Sequence, residues 1–455
     1  MNGSRSHHFI GIGGVGMSAI AQILHERGQA VSGSDSQESA TVNRLRALGI
    51  PVFVGHEAAH VAGAASLVVS TAVRPDNPEW LAARDRGIPV RHRADCLADL
   101  MQAQESIAVC GTHGKTTTTG LVASILLGAE ADPTVLVGGH LPALGGTARQ
   151  GQGRWLVAEA DESDKSLAKL TADLAILLNV EGDHLEHYRD EAEIHEVFAT
   201  FLDGLKPGGR IVACLDGPGI RSLTAARRER TVWVGTGEEA DHRITDLVLE
   251  PTSSLFRLDG YRYQLAVGGR HNILNAACAI VACELAGIPR ARIQAGLSAF
   301  TGVGRRFDVR GTERDVTVVD DYAHHPTEIR ATLETARLRG RPLWVVFQPH
   351  RYTRLEALFE GFAGAFEDIV GLGVMRVYGA GEPPGRREGS DLSRAIRARD
   401  GGFEVHDWPD GQDVLAGLVP RLRAGDLVLL LGAGNITHLA APLLEALRAP
   451  VGEPR

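Results

Sequence analysis

Residues Ile107–Thr119 read IAVCGTHGKTTTT. A short apolar run breaks through Gly111 and Gly114 into Lys115 and a row of threonines, the pattern of a β-strand, a tight turn and a helix start. A strand that opens through glycines into a helix turns several backbone N–H groups toward one point, where the helix dipole adds positive charge, so an anion belongs there. Lys115, the only lysine in the first 160 residues, supplies a mobile charge for the outer phosphates of a nucleotide. Thr116 supplies a hydroxyl suited to Mg²⁺. The usual GxxxxGK[ST] spacing would need glycine where Val109 stands, so the loop is a shortened variant. Gly111, Thr112, His113, Gly114, Lys115, Thr116 and Thr117 are its expected ATP contacts, and the fold class it predicts is α/β.

The 455-residue chain is long enough for two to four domains. Its net charge of −9, with no basic run, argues against sequence-independent nucleic-acid binding. Five cysteines without CxxC spacing read as reduced core residues of a cytosolic protein. No stretch approaches eighteen apolar residues and the amino terminus lacks a signal-like run, so a cytoplasmic protein without a membrane span is expected.

In chain order, a strand over His8–Ile12 enters Gly11-Ile-Gly13-Gly14-Val-Gly16 and a helical pattern, and a second strand then delivers Asp35. This GxGxxG context fits a dinucleotide with its ribose on Asp35, and it fits equally the diphosphate of a UDP-linked molecule. A strand near Leu67–Ser70 ends in Ser70 and Thr71, which are either ligand groups at a sheet edge or an ordinary turn. The first domain boundary is placed after residue 103.

The second segment repeats the α/β alternation. One strand ends in Glu159-Ala-Asp161-Glu162-Ser-Asp164, another in Asn179-Val-Glu181-Gly-Asp183-His184. In a parallel sheet these ends share an edge with the phosphate loop, which brings Glu159 and His184 to one metal–phosphate centre. His184 suits either ligation or hydrogen bonding; Glu162 and Asp164 read as a solvated acidic turn. Strand-like alternation covers Leu247–Leu258. Asn272 and Asn275, three apart at a helix start, suit an adenine or, for Asn272, a helix cap. The second boundary is placed after residue 304. The third segment gathers Asp320, Asp321, Tyr322, His324 and His325 at one strand end, and His350, Arg351 and Arg354 after another, denser polar chemistry than connecting loops need.

Taken together, HFIGIGGVGMSAIA, GTHGKTTTT, EADESD, NVEGDHLEHY, GRHNILNA, GVGRRFD, DDYAHHPTEI and QPHRYT, in this order, closely resemble the Mur ligases of bacterial cell-wall synthesis. The resemblance spans residues 8–354, with further likeness at YGAGE and GAGN. It implies three α/β domains: an amino-terminal Rossmann-like domain for a UDP-sugar (1–103), a central P-loop-type ATPase domain (104–304) and a carboxy-terminal Rossmann-like domain for the amino acid (305–455). It implies that ATP phosphorylates the lactyl carboxylate of UDP-N-acetylmuramate and that the amine of L-alanine attacks the acyl phosphate. On this likeness Lys115 holds the β and γ phosphates, Thr116 and Glu159 a first Mg²⁺, and His184 a second. Asn272 and Asn275 contact the nucleotide, and Arg306 (or Arg305) pairs with Asp321 at the junction of the last two domains. The UDP-sugar falls to Gly13, Gly14, Gly16, Asp35, Ser70 and Thr71, and the amino acid to His324, Arg351 and Arg354. No lysine lies between His184 and Lys206, so the carbamylated lysine of several relatives is absent, as fits the alanine-adding branch. A monomer or homodimer is expected. The rival readings are an NAD-dependent dehydrogenase, an ATP-driven switch, and a sibling ligase that attaches a recycled peptide to the same sugar.

Overall fold

The computed structural model describes residues 6–183 and 187–448. Three sheets organise them. The first joins β1 (His7–Ile10), β2 (Val31–Asp35), β3 (Val52–Val54), β4 (Ser66–Val69) and β5 (Val90–His92) in the order β3-β2-β1-β4-β5. All its pairings are parallel. Helices α1 (Val15–Glu26), α2 (Ala40–Ala47) and α3 (Pro78–Asp85) connect the strands, and α4 (Arg93–Ala103) leads out. Phe9, Ile10, Leu67, Val68 and Val69 are buried, the near-continuous apolar run of parallel strands covered on both faces. The strand order reverses between β1 and β4, and the glycine loop leaves the sheet at this switch point.

The second sheet is built from β6 (Glu105–Cys110), β7 (Thr134–Leu141), β8 (Gly146–Arg149), β9 (Trp155–Glu159), β10 (Leu174–Leu177), β11 (Arg210–Cys214) and β12 (Thr231–Gly235). Their order is β12-β11-β10-β6-β9-β7-β8, parallel except for the β7–β8 pair. Strand β13 (His242–Leu249) joins β12 in parallel. Around it lie α5 (Lys115–Gly128), α6 (Glu191–Asp203), α7 (Ile220–Ala225), α8 (Arg270–Leu285) and α9 (Arg290–Ala299). Helix α5 is buried over almost its whole length and meets α9 with backbone against backbone. A Cβ on Gly296 would stand 2.3 Å from the Ile125 Cα, so only glycine admits this crossing.

The strand expected over Leu247–Leu258 is two strands. After β13, Pro251 lies in a turn closed by Glu250 N–H donating to the Ser253 carbonyl at 3.0 Å, because proline cannot donate to a ladder. Beyond the turn β14 (Ser254–Leu258) and β15 (Tyr261–Leu265) form an antiparallel hairpin. The third sheet follows, with β16 (Asp308–Glu313), β17 (Val316–Asp321), β18 (Leu343–Phe347), β19 (Gly371–Val374), β20 (Glu404–Asp407) and β21 (Leu427–Leu431) ordered β16-β17-β21-β18-β19-β20. Only β16 runs antiparallel. Helices α10 (Pro326–Arg337) and α11 (Tyr352–Ala357) begin at its strand ends. One face of this sheet buries Phe347, Phe362 and Phe366, the other Trp344 and Trp408. The expected α/β architecture on three parallel-rich sheets is therefore present.

The described residues of Met1–Glu181, Ala192–Ile244 and Leu274–Phe300 form one compact unit, and those of Gly182–Glu191, Thr245–Ile273 and Thr301–Arg455 another. Within the first, the first two sheets are tied by Gln22 Nε2 donating to the Ala148 carbonyl at 3.1 Å, Gln150 N–H to Glu26 at 2.9 Å and Arg27 Nη2 to Gln104 at 2.6 Å.

Candidate active site

Strand β6 ends at Cys110 and α5 begins at Lys115, so the loop between them is Gly111–Gly114. Gly114 takes φ +86°, a left-handed conformation, and a Cβ there would stand 2.9 Å from the Asn275 amide oxygen. Asn179, two residues past β10, braces the loop from the neighbouring strand. Its side chain accepts from His113 N–H at 2.8 Å and donates to the His113 carbonyl at 3.1 Å, while its carbonyl accepts from Thr112 N–H at 3.1 Å. The Thr112 hydroxyl accepts from Glu181 N–H at 3.0 Å.

Lys115 Nζ donates to the Gly111 carbonyl at 2.7 Å and to both oxygens of Glu162, at 2.8 and 2.7 Å. Burial disfavours its charge, but Glu162, Asp161 and Glu159 outweigh burial and raise its pKa. This corrects the reading of Glu162 as a solvated residue, since it is buried at 2 % exposure and is the counter-ion of the loop lysine. Asp164 is corrected likewise: its side chain is 2 % exposed and accepts from Arg93. Glu159, at the end of β9, accepts from the Thr116 hydroxyl at 3.2 Å and from Gly138 N–H. Thr116 and Glu159 thus converge as hard oxygen donors beside the phosphate loop, a set that fits Mg²⁺. Thr117, half-buried, lies in the first turn of α5. His184 lies outside the described residues.

On α8, Asn275 is 7 % exposed and faces Gly114. Asn272 is not a cap: it sits inside the first turn, and its amide donates back to the Gly268 carbonyl at 2.7 Å.

At the first sheet, Gly11 and Ile12 N–H both donate to the Ser34 carbonyl, at 2.8 and 3.0 Å. Asp35 accepts from Gly13 N–H at 2.9 Å, and a Cβ on Gly13 would stand 2.8 Å from that carboxylate. Asp35 therefore shapes the glycine loop with this oxygen. Gly14 is the N-cap of α1 without a side-chain cap, which leaves the first-turn amides beside Gly16 for an anion. Ser70 is half-buried and opens a turn closed by Val73 N–H on its carbonyl at 3.1 Å; Thr71 is exposed.

In the second unit, Asp321 ends β17 and accepts from Phe307 and Ala323 N–H, each at 2.7 Å. Burial pushes its pKa up to about 6 against the pull of the Arg306 charge. Arg306 faces Glu328 at 3.6 Å and lies over the Tyr322 ring. Arg305, by contrast, donates to the Gly432 and Gly434 carbonyls at 2.7 and 3.3 Å. His324 Nδ1 lies 2.9 Å from the Tyr322 carbonyl, and burial lowers its pKa to about 3, so the ring is neutral. Arg351 takes φ +68° at the N-cap of α11 and faces Glu382 at 3.7 Å. Arg354 is 4 % exposed, and Asp183 takes its guanidinium by two contacts at 2.9 and 3.3 Å. The structure thus gathers Lys115, Thr116, Glu159 and Asn275 around one loop in the first unit, and Arg306, Asp321 and His324 around one strand end in the second.

Asn179, Glu162, Arg93 and Asp183 went without a role in the sequence reading. A polar residue closing the apolar run 174–178 is the available signal for Asn179; the others are paired with partners far away in sequence.

Three family models match: "Mur ligase family, catalytic domain" over residues 6–105, "Mur ligase middle domain" over 109–283, and "Mur ligase, glutamate ligase domain" over 305–434. A UDP-N-acetylmuramate–L-alanine ligase of Allorhizobium ampelinum is 44 % identical, with 98 % of each chain covered. One of Nitratidesulfovibrio vulgaris is 46 % identical, covering 96 % of this chain and 98 % of its own. Among solved structures, a UDP-N-acetylmuramate–alanine ligase of Thermotoga maritima superposes with TM-score 0.83 at 29 % identity, over 97 % of this chain and 98 % of that one. The three sheets, the variant phosphate loop with its lysine and acids, and these end-to-end similarities lead to one conclusion: the chain belongs to the Mur ligase family.

Proposed function

We propose that this chain is the ATP-dependent ligase that joins L-alanine to the lactyl carboxylate of UDP-N-acetylmuramate in the cytoplasm. The observation that carries the reading is the Lys115–Thr116–Glu159 group on a glycine loop, in a chain 44 % identical from end to end to a ligase named for these substrates.

The chemistry has a physical logic. A carboxylate is a poor electrophile and needs a leaving group, so it accepts the terminal phosphoryl group of ATP. The amine of L-alanine then attacks the acyl carbon, the C–O bond to phosphate breaks, and inorganic phosphate leaves as the amide forms. Bringing two anions together demands charge compensation and positioning. Lys115, already charged and aimed along the loop, exchanges its carbonyl partners for phosphate oxygens while Glu162 keeps it oriented. Thr116 and Glu159 would hold Mg²⁺, which when bound offsets phosphate charge. Asn275 reads the nucleotide beside Gly114. The Gly11–Gly16 loop takes the sugar diphosphate on the α1 amides, and Arg306 and Asp321 belong to the lobe that carries the amino acid. The neutral His324 and the strained Arg351 are its candidate contacts; Arg354, held by Asp183, supports the loop before His184.

A phosphate-release assay with UDP-N-acetylmuramate, ATP and Mg²⁺ tests this, with L-alanine, glycine, L-serine or a stem tripeptide as acceptor. Release that depends on L-alanine is expected. Equal release with and without an amino acid defeats the ligase reading, and preference for the tripeptide transfers the chain to the recycling branch.

A further inference from the structure

Arg93 opens α4, and its guanidinium faces two loops at once. Nη2 donates to Asp161 at 3.0 Å and to Asp164 at 3.2 Å, both on the segment that follows Glu159. The other terminal nitrogen, Nη1, stands 3.4 Å from where a Cβ on Gly16 would be, against the first turn of α1. We propose that Arg93 is a positioning residue that couples the two phosphate-binding loops, so that UDP-sugar and ATP bind with linked free energies. The proposal rests on the functional reading above and adds to it a route between the sites.

The route is short and held at each step. From Gly16 it passes through Arg93 to Asp161 and Asp164, then through the intervening Glu162 to Lys115. Asp161 is fixed by the Ser163 N–H and hydroxyl at 3.2 and 3.0 Å, Asp164 by Ser166 N–H at 3.1 Å. The first turn of α4 grips the same segment elsewhere, with Asp95 accepting from Lys169 at 2.8 Å and His92 facing Asp164 at 3.5 Å. A diphosphate arriving at the α1 amides brings negative charge beside Nη1. A fork-shaped cation with a carboxylate pair on one side and a phosphate on the other holds both in fixed geometry, as a point charge cannot. Sugar binding therefore orders the acidic segment, and with it the orientation of Lys115 by Glu162. The coupling must also run in reverse, since it is a property of the equilibrium.

Calorimetric titration of the full chain tests this, using UDP-N-acetylmuramate alone, a non-hydrolysable ATP analogue with Mg²⁺ alone, and each in the presence of the other. In the wild type each ligand is expected to tighten the other by about fivefold or more. Arg93→Gln, and Asp164→Asn acting from the opposite partner, bring that factor to within about twofold of one, and Arg93→Lys restores only part of it. A residue that merely stabilised the fold would lower both affinities and leave the factor unchanged. A factor of one in the wild type, or an unaltered factor in both variants, overturns the proposal. A wild type that fails to bind the UDP-sugar at all defeats the functional reading itself.

Discussion

Removing Lys115 does two separable things. On the proposed reading it takes away the cation that would compensate the transferred phosphoryl group, an expected loss of about 10²-fold or more in turnover for one such electrostatic contact. It also removes from Glu162, which is 2 % exposed, the cation that contacts both of its carboxylate oxygens. Removing one partner of a buried ion pair costs about 3 kcal/mol or more. Lys115→Ala is thus expected to lose both turnover and melting temperature, whereas Lys115→Ala with Glu162→Gln recovers the melting temperature and stays inactive. Phosphate release and thermal melts on the two variants check this; recovery of turnover in the double variant would show that the loop lysine does not act on phosphate. Asp35 shows the other way a residue-level reading shifts. Its position at the end of β2 was legible, and one of its oxygens accepts from Gly13 N–H, so it also forms the loop from beneath.

Helix α3 is anchored to the first sheet by a carboxylate. Glu79 is fully buried and accepts from the Ser34 hydroxyl at 2.6 Å, with His60 at 2.7 Å and His8 at 3.5 Å. Burial pushes its pKa up, but the close His8 ring and the bonds with Ser34 and His60 outweigh it and hold the group at about 2. A carboxylate depressed on folding contributes stability that is complete above its unfolded value near 4.5 and fades as pH falls toward about 2. The shift corresponds to about 3 kcal/mol. Glu79→Gln is expected to lower the melting temperature at pH 7 and to flatten its decline between pH 5 and pH 2; an unchanged acid limb would show that other groups set it. The α5–α9 crossing makes a second element-scale prediction. Gly296→Ala drives a methyl against Ile125 and costs about 1–3 kcal/mol or more, read as a lower melting temperature. Strand, turn and helix signals around the phosphate loop were legible because each is local. The role of Glu162 was not, because the lysine it serves lies 47 positions away and such a contact leaves no mark on local periodicity.

At the scale of the molecule, the chain does not lay down its units one after another. The second unit gathers Gly182–Glu191 and Thr245–Ile273 from the middle of the sequence before it takes the stretch from Thr301 onward. Fold class and the run of three sheets followed from alternation along the chain, but this interleaving rests on contacts that no boundary signal records. One of them is the pairing of Asp183 with Arg354, 171 positions apart and almost wholly buried. Genetic exchange between relatives is constrained accordingly. A chimaera joined near residue 300 inherits the arginine from one parent and its carboxylate from the other, and a parent with an uncharged side chain at either position breaks this buried ion pair. Such hybrids should assemble only when both halves of that pair travel together, whatever the similarity of the sequences at the seam.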